Sequence, residues 1–351
     1  MLDQVSMQFE SGAVMSRSNR GTHMGESACG VALRVLRAFA MVLLSMYMAA
    51  CAGFQKQPGL LDVLTGSQGE SLTLVSFNIR FDNPGDGPNA WPNRRAGVAA
   101  ILSRHAPDIA GLQEALRHQV DQIQSDLPSM GWVGAGRDDG LDAGEFSPIF
   151  YRRDRFELID SGTFWLSDTP TRPGSRTWGN TLPRICTWAV LRDQRTGRTF
   201  RVYNTHLDHQ SQESRERSAA LIAADIQSRA LPGESVILMG DFNAGERSRV
   251  VRFLTGKLSS PLEERLPGPA SWTGLIDTFR YVEPEASFVG TFNAWRSGPE
   301  AERGDKIDYI LVDPSLTPVR AFIDRSRPGG VHASDHWAVV ATVRYGRDHQ
   351  R

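Results

Sequence analysis

What most constrains this chain is a long succession of short apolar, β-branched stretches separated by Gly, Pro and Asn, with only a few helical patterns among them. The stretches at 72–80, 108–112, 131–136, 147–152, 156–166, 185–192, 199–205, 235–239, 286–291, 306–312, 319–323 and 336–343 read as strands. Helical spacing fits 93–105, 116–127, 212–229 and 247–254. Pro107 and Pro128 stop the first two helices, and Gln194-Arg-Thr-Gly197 is a hairpin signal between two strands. Strands that outnumber helices without strict alternation argue against a barrel of parallel strands. They fit two packed β-sheets with helices outside, an α/β arrangement.

One stretch illustrates what happens at strand ends. Ser235 to Met239 is an apolar run after the Pro232-Gly233 break, and it stops at Gly240-Asp241-Phe242-Asn243. Residues i and i+2 leave a strand on the same side. Asp241 and Asn243 therefore pair a carboxylate acceptor with a carboxamide, a set that suits a metal or a water meeting a phosphoryl oxygen. The same two residues also suit a plain β-turn.

Charge and cysteine content exclude some classes. The chain holds 39 basic and 40 acidic residues, without the basic excess of a dedicated nucleic-acid binder. Only Lys56, Lys257 and Lys306 are lysines, an arginine bias that suits phosphate recognition and that genomic base composition explains equally well. Cys29, Cys51 and Cys186 show neither metal-ligand spacing nor a disulfide framework.

Arg34 and Arg37 precede an apolar run from Ala38 to Ala50 that ends at Ala49-Ala50-Cys51. A basic region, a short apolar core and small residues at a cut site make a secretory signal. The core is shorter than the roughly twenty residues a transmembrane helix needs. Met48-Ala49-Ala50-Cys51 resembles a bacterial lipobox, which implies a lipid on Cys51 and a membrane-anchored lipoprotein of the cell envelope, or a secreted protein if Cys51 stays unmodified. A buried apolar helix is the alternative. The signal starts late, and Met24 is a better start than Met1. Residues 1–50 are thus expected to be signal peptide with an N-terminal extension, 51–70 a Gly/Pro-bearing tether, 71–345 one catalytic domain and 346–351 a tail.

Polar residues collect at the expected strand ends: Asn78, Glu114, His206, Asp241, Asn243, Asp308, Asp335 and His336. Open strand ends are where such cores place chemistry. Glu114, at a strand-to-helix junction, is either a helix cap or a metal ligand. The set has no G-x-S-x-G elbow, no Gly-rich loop followed by Lys and no zinc spacing. Its oxygen-rich donors point to Mg²⁺ or Mn²⁺.

Six motifs then occur in order: Phe77-Asn78-Ile79-Arg80, Gln113-Glu114, Asn204-Thr205-His206-Leu207, Gly240-Asp241-Phe242-Asn243, Lys306-Ile307-Asp308-Tyr309 and Ser334-Asp335-His336. Together they resemble the endonuclease/exonuclease/phosphatase superfamily, whose members include deoxyribonuclease I, abasic-site endonucleases, sphingomyelinases and inositol-polyphosphate phosphatases. The resemblance implies a four-layered α/β sandwich and a divalent-metal-dependent phosphoesterase. Glu114 is implied as the metal ligand, helped by Asn78 and Asp335. Asp241 and Asn243 are implied to orient the attacking water and hold a phosphoryl oxygen. His336, aligned by Asp308, is implied as general base or as a charged transition-state contact, and His206 as a phosphate contact or leaving-group acid. Glu145, in Glu145-Phe-Ser-Pro-Ile-Phe-Tyr151, resembles the deoxyribonuclease I glutamate that buttresses the first histidine, which implies a Glu145–His206 pair. Abasic-site endonucleases carry an acid where this chain has Arg80.

The implied substrate is a phosphoester, by monoester or diester hydrolysis. DNase-like action on nucleic acid, a sphingomyelinase or inositol-phosphate activity, and an inactive lipid-anchored binding protein are the alternatives. A monomer is expected. Arg184 is a further phosphate candidate or a solvated strand-start arginine, His209 and His332 have no motif behind them, and Trp165, Trp178 and Trp295 are either rim or packing residues.

Overall fold

The computed structural model describes residues 71–257 and 272–345. The expected signal, tether, Cys51 and tail lie outside the described residues.

Along Ser71–Asn78 (β1) successive side chains leave on opposite sides. Leu72 and Leu74 enter one apolar cluster, while Val75 and Phe77 enter another. A strand that is apolar on both sides needs a cover on both. One cover is a second sheet and the other is a layer of helices.

The first sheet adds Ile109–Gln113 (β2), Met130–Val133 (β3), Ile149–Arg152 (β4), Leu316–Asp324 (β11) and Ala338–Tyr345 (β12), in the order β11-β12-β1-β2-β4-β3. The second holds Phe156–Trp165 (β5), Ile185–Asp193 (β6), Thr199–His206 (β7), Ser235–Asp241 (β8), Ile276–Asp277 (β9) and Asp308–Val312 (β10), in the order β5-β6-β7-β8-β10-β9. Each sheet has one parallel pair, β1 with β2 and β7 with β8. Each of these pairs is joined through a helix, as parallel neighbours require.

Trp91–His105 (α1) and Arg117–Asp126 (α2) cover the first sheet through Val98, Ile101, Leu102, Val120 and Ile123. Gln212–Arg229 (α3) and Arg249–Leu254 (α4) cover the second through Ile222, Ile226, Val250 and Leu254. Thr278–Val282 (α5) and Pro299–Glu302 (α6) are short connectors. Ser211 caps α3 by accepting from Ser214 N–H, and α1 ends where Ala106 turns left-handed before Pro107. The result is the expected four-layered α/β sandwich of two mixed sheets.

Two expectations differ. Residues 286–291 form no strand, because Gly290 and Thr291 N–H donate to Glu302 and Asp305 carbonyls instead of a ladder. Ile276–Asp277 takes the edge place beside β10. The strand expected to reach residue 80 stops at Asn78, since Arg80 turns to φ 56°.

Candidate active site

Pairing register builds the site. β10 runs antiparallel to β8, so its first residue, Asp308, lies opposite Asp241. β7 runs parallel to β8 and sets His206 beside the same Asp241. β12 runs antiparallel to β1 with Val339 opposite Ser76, which brings His336 to the end of β1 at Asn78. Five strands thus deliver polar side chains to one rim of the sandwich, and the end of β2 adds Glu114.

Close approaches hold that rim. Gly240 has no side chain because a Cβ there would collide with the Thr205 carbonyl. A Cβ on Gly111 would sit 2.7 Å from Asn204 Oδ1. Asn204 uses that proximity to tie the two sheets, accepting from Gln113 Nε2 at 2.7 Å and donating to the Leu112 and Pro148 carbonyls at 2.7 and 2.9 Å. The Tyr309 hydroxyl donates within 3.0 Å of the Ala244 carbonyl while its ring stacks on Phe242, which fixes the loop carrying Asn243.

His336 is fully enclosed, with Nδ1 2.9 Å from Asp308 Oδ2 and Nε2 3.7 Å from Asp241 Oδ2. Burial alone would depress its pKa, but the Asp308 and Asp241 carboxylates outweigh it and raise the imidazole to about 10. Asp241 is pushed up to about 7, chiefly by burial and then by Asp308. Asn78 links this group to Glu114, since its Nδ2 donates to Asp241 Oδ2 and to Glu114 Oε1, each at 3.0 Å. The Asn78 oxygen accepts from Arg80 N–H at 3.0 Å. Asn78, implied to help Glu114 with the metal, contacts Glu114 and Asp241 through its amide nitrogen.

His206 is held differently. Burial, then Arg184 and Arg137, drive its pKa well below the ordinary value, so it is neutral. Its Nε2 lies 2.9 Å from Asn243 Nδ2, which also donates to the Leu207 carbonyl at 3.0 Å. With Nε2 accepting, the proton sits on Nδ1. The expected Glu145–His206 bond is not made. Glu145 Oε2 instead takes Arg137 Nη1 at 2.6 Å, since a buried carboxylate gains more from a guanidinium than from a neutral imidazole. Burial still raises Glu145 to about 6. Glu145 and His206 line one cleft of about 370 Å³ with Glu114, Asp241, Asn243, Asp335, His336 and Arg184.

Glu114 and Asp335, which the resemblance implied as metal ligands, both turn up in the lining of this cleft. Glu114 sits at φ 64°, a conformation that costs a non-glycine residue and turns its carboxylate back over Phe81 N–H at 3.2 Å. Burial raises the pKa of Asp335 against the lowering fields of His336 and Arg80. Asp241, Asp308 and His336 bring possible ligand atoms within 4.8 Å of one another, but an imidazolium offers no lone pair to a metal; Asp308 Oδ1 is buried with no hydrogen bond among the described residues. Carboxylate-rich donors of this kind suit Mg²⁺ or Mn²⁺.

Arg184 is buried against Asp208 at 3.4 Å and His209 Nδ1 at 2.9 Å, so it is no solvated strand start. His332 bonds Ser297 and stands apart from the cleft lining. Trp165 is a packing residue whose indole donates to the Arg137 carbonyl at 2.6 Å. Trp178 bonds Asp168 beside a separate surface groove, and Trp295 lies beside the Arg94 guanidinium. Arg94 and Arg137 carried no motif, yet both shape the site. The buried Arg94 guanidinium bonds the Ile79, Arg80, Phe81 and Ala333 carbonyls, clamping the segment after Asn78 to the one before Asp335. An arginine on the apolar side of α1, at the spacing of Val98 and Ile101, was the available signal for it.

Residues 75–336 match the model of the Endonuclease/Exonuclease/phosphatase family. An endonuclease/exonuclease/phosphatase from Bacteroides vulgatus is 33% identical with a TM-score of 0.69, over 79% of this chain and 99% of that one. A Bacteroides thetaiotaomicron mannosyl-6-phosphatase is 32% identical with a TM-score of 0.66, over 78% and 100% of the two chains. An uncharacterized protein of Acanthamoeba polyphaga mimivirus is 27% identical over 164 residues, a match that spans 60% of that protein's length. The family-model match runs from within β1 to His336 and takes in each of the strand-end residues gathered in the cleft. The chain therefore belongs to the Endonuclease/Exonuclease/phosphatase family, whose enzymes hydrolyse phosphoester bonds.

Proposed function

We propose that this protein is a divalent-metal-dependent phosphoesterase, and that a small phosphomonoester such as a sugar phosphate is its favoured substrate class. The observation that carries the reading is the continuous chain of contacts from Asp308 through His336 and Asp241 to Asn78 and Glu114. The sugar-phosphatase name of the Bacteroides thetaiotaomicron relative and the balanced charge of this chain favour a small substrate over a nucleic-acid backbone.

Glu114 and Asp335 would hold the ion, which when bound supplies Lewis-acid charge neutralisation to a phosphoryl oxygen. The chain's own residues do the rest. His336, kept as an imidazolium by Asp308 and Asp241, offers a fixed positive charge to the phosphoryl group. Asp241, raised to about 7, is the group able to take a proton from the attacking water near neutral pH. Asn243 directs its amide at His206 and fixes the neutral ring, whose buried Nδ1–H has no hydrogen-bond partner among the described residues.

A substrate panel with and without EDTA tests this: mannose 6-phosphate, inositol phosphates, bis-p-nitrophenyl phosphate, sphingomyelin and plasmid DNA. EDTA-sensitive phosphate release from the monoesters is expected. Cleavage of plasmid DNA alone would move the assignment to a nuclease, and no EDTA-sensitive hydrolysis on any member would reduce the protein to a binding module.

A further inference from the structure

Arg80 sits immediately beyond β1 at φ 56°, a backbone conformation uncommon for a residue with a side chain. Its surroundings over-determine that position. Its N–H donates to Asn78 Oδ1 at 3.0 Å, and its carbonyl accepts from Gln119 Nε2 at 3.0 Å and from Arg94 Nη2 at 2.6 Å. The side chain is held as firmly, with Nε and Nη2 on the two oxygens of Asp86 at 3.0 and 3.2 Å. Asp86 comes from the tight turn Pro84–Asn89, whose side of the rim has no other ionic partner for it among the described residues.

The fixed guanidinium lines the cleft between the two expected metal ligands. Nη1 is 3.7 Å from Glu114 Oε2, and Nε is 3.9 Å from Asp335 Oδ2. Both distances exceed a hydrogen bond, so neither carboxylate is consumed by Arg80. The arginine offsets one of the negative charges of the acid cluster without capping the oxygens of Glu114 and Asp335. Three carboxylates, Glu114, Asp335 and Asp86, surround one permanent cation that cannot dissociate.

We propose that Arg80 occupies the place of a second cation and so restricts this cleft to a single divalent ion held by Glu114 and Asp335. This rests on the metal-dependent reading given above. A guanidinium does not lose its proton in a protein and does not exchange with solvent ions. Asp86, Glu114 and Asp335 carry three negative charges against the one positive charge of Arg80, so one divalent ion balances the group and a second would enter against uncompensated like charge.

Mn²⁺ binding to the purified, substrate-free protein tests the idea, with the free ion followed by electron paramagnetic resonance and the heat by titration calorimetry. The native protein is expected to bind one ion. Arg80→Asn, whose side chain tolerates the left-handed backbone and adds an oxygen donor, is expected to bind two. Arg80→Lys keeps the charge and is expected to bind one. Arg80→Gln is read in the same way as Arg80→Asn should the latter fail to fold, with melting curves showing which variant is native. Two ions on the native protein, or a single ion on a folded Arg80→Asn or Arg80→Gln, would overturn the role of Arg80. No ion on the native protein, with Glu114→Gln unchanged, would overturn the metal-dependent reading instead.

Discussion

Asp308 and Asp241 lie directly opposite each other across the β10–β8 pair, and both carboxylates face the one imidazole of His336. Two acids paired across strands on a buried face would ordinarily repel. The imidazolium between them removes the conflict, and their combined field is what raises it to about 10 against the cost of burial.

The sign of that shift sets a pH dependence. A histidine raised in the fold contributes stability in full below about 6.5, its unfolded value, and loses it as pH rises through about 10. Activity that needs the imidazolium should fall over the same alkaline range. Asp308→Asn removes the first of the raising charges, so the alkaline limb of kcat/KM should move down by about one unit or more. An unmoved limb, measured over the full pH range, would show that some other group governs it.

Glu114→Ala should lower turnover by about a thousandfold or more, a barrier increase of about 4 kcal/mol. Mn²⁺ affinity measured without substrate should fall with it. Near-native turnover would remove Glu114 from the ion's ligand set.

Gly111→Ala should destabilise the fold by about 1–3 kcal/mol, because the new Cβ must displace the Asn204 amide that ties the sheets together. Urea unfolding should show a lower midpoint at unchanged slope. An unchanged midpoint would mean that the sheets separate at no cost.

A lipid on Cys51 remains a proposal from Met48-Ala49-Ala50-Cys51. Cys51→Ala should shift the protein from the membrane to the soluble fraction on cell fractionation. Persistent membrane association would leave the apolar run itself as the anchor.

Local patterns determined much of this protein. The apolar, β-branched run that includes Leu72, Leu74, Val75 and Phe77 marked β1 as a strand, and the polar residues at strand ends marked His206, Asp241, Asn243, Asp308 and His336 before any contact was known. Those signals depend on neighbours in sequence, so one chain carries them. Partner choice does not. Only the tertiary structure decided that Glu145 takes Arg137 rather than His206, and that Asn78 turns its nitrogen to Glu114 and Asp241. It also decided that Ile276–Asp277 rather than 286–291 edges the second sheet, and that His336 is charged while His206 is neutral. Each of these depends on which charges and donors the strand register brings within a few ångströms, and that distance is set by residues far apart in the chain.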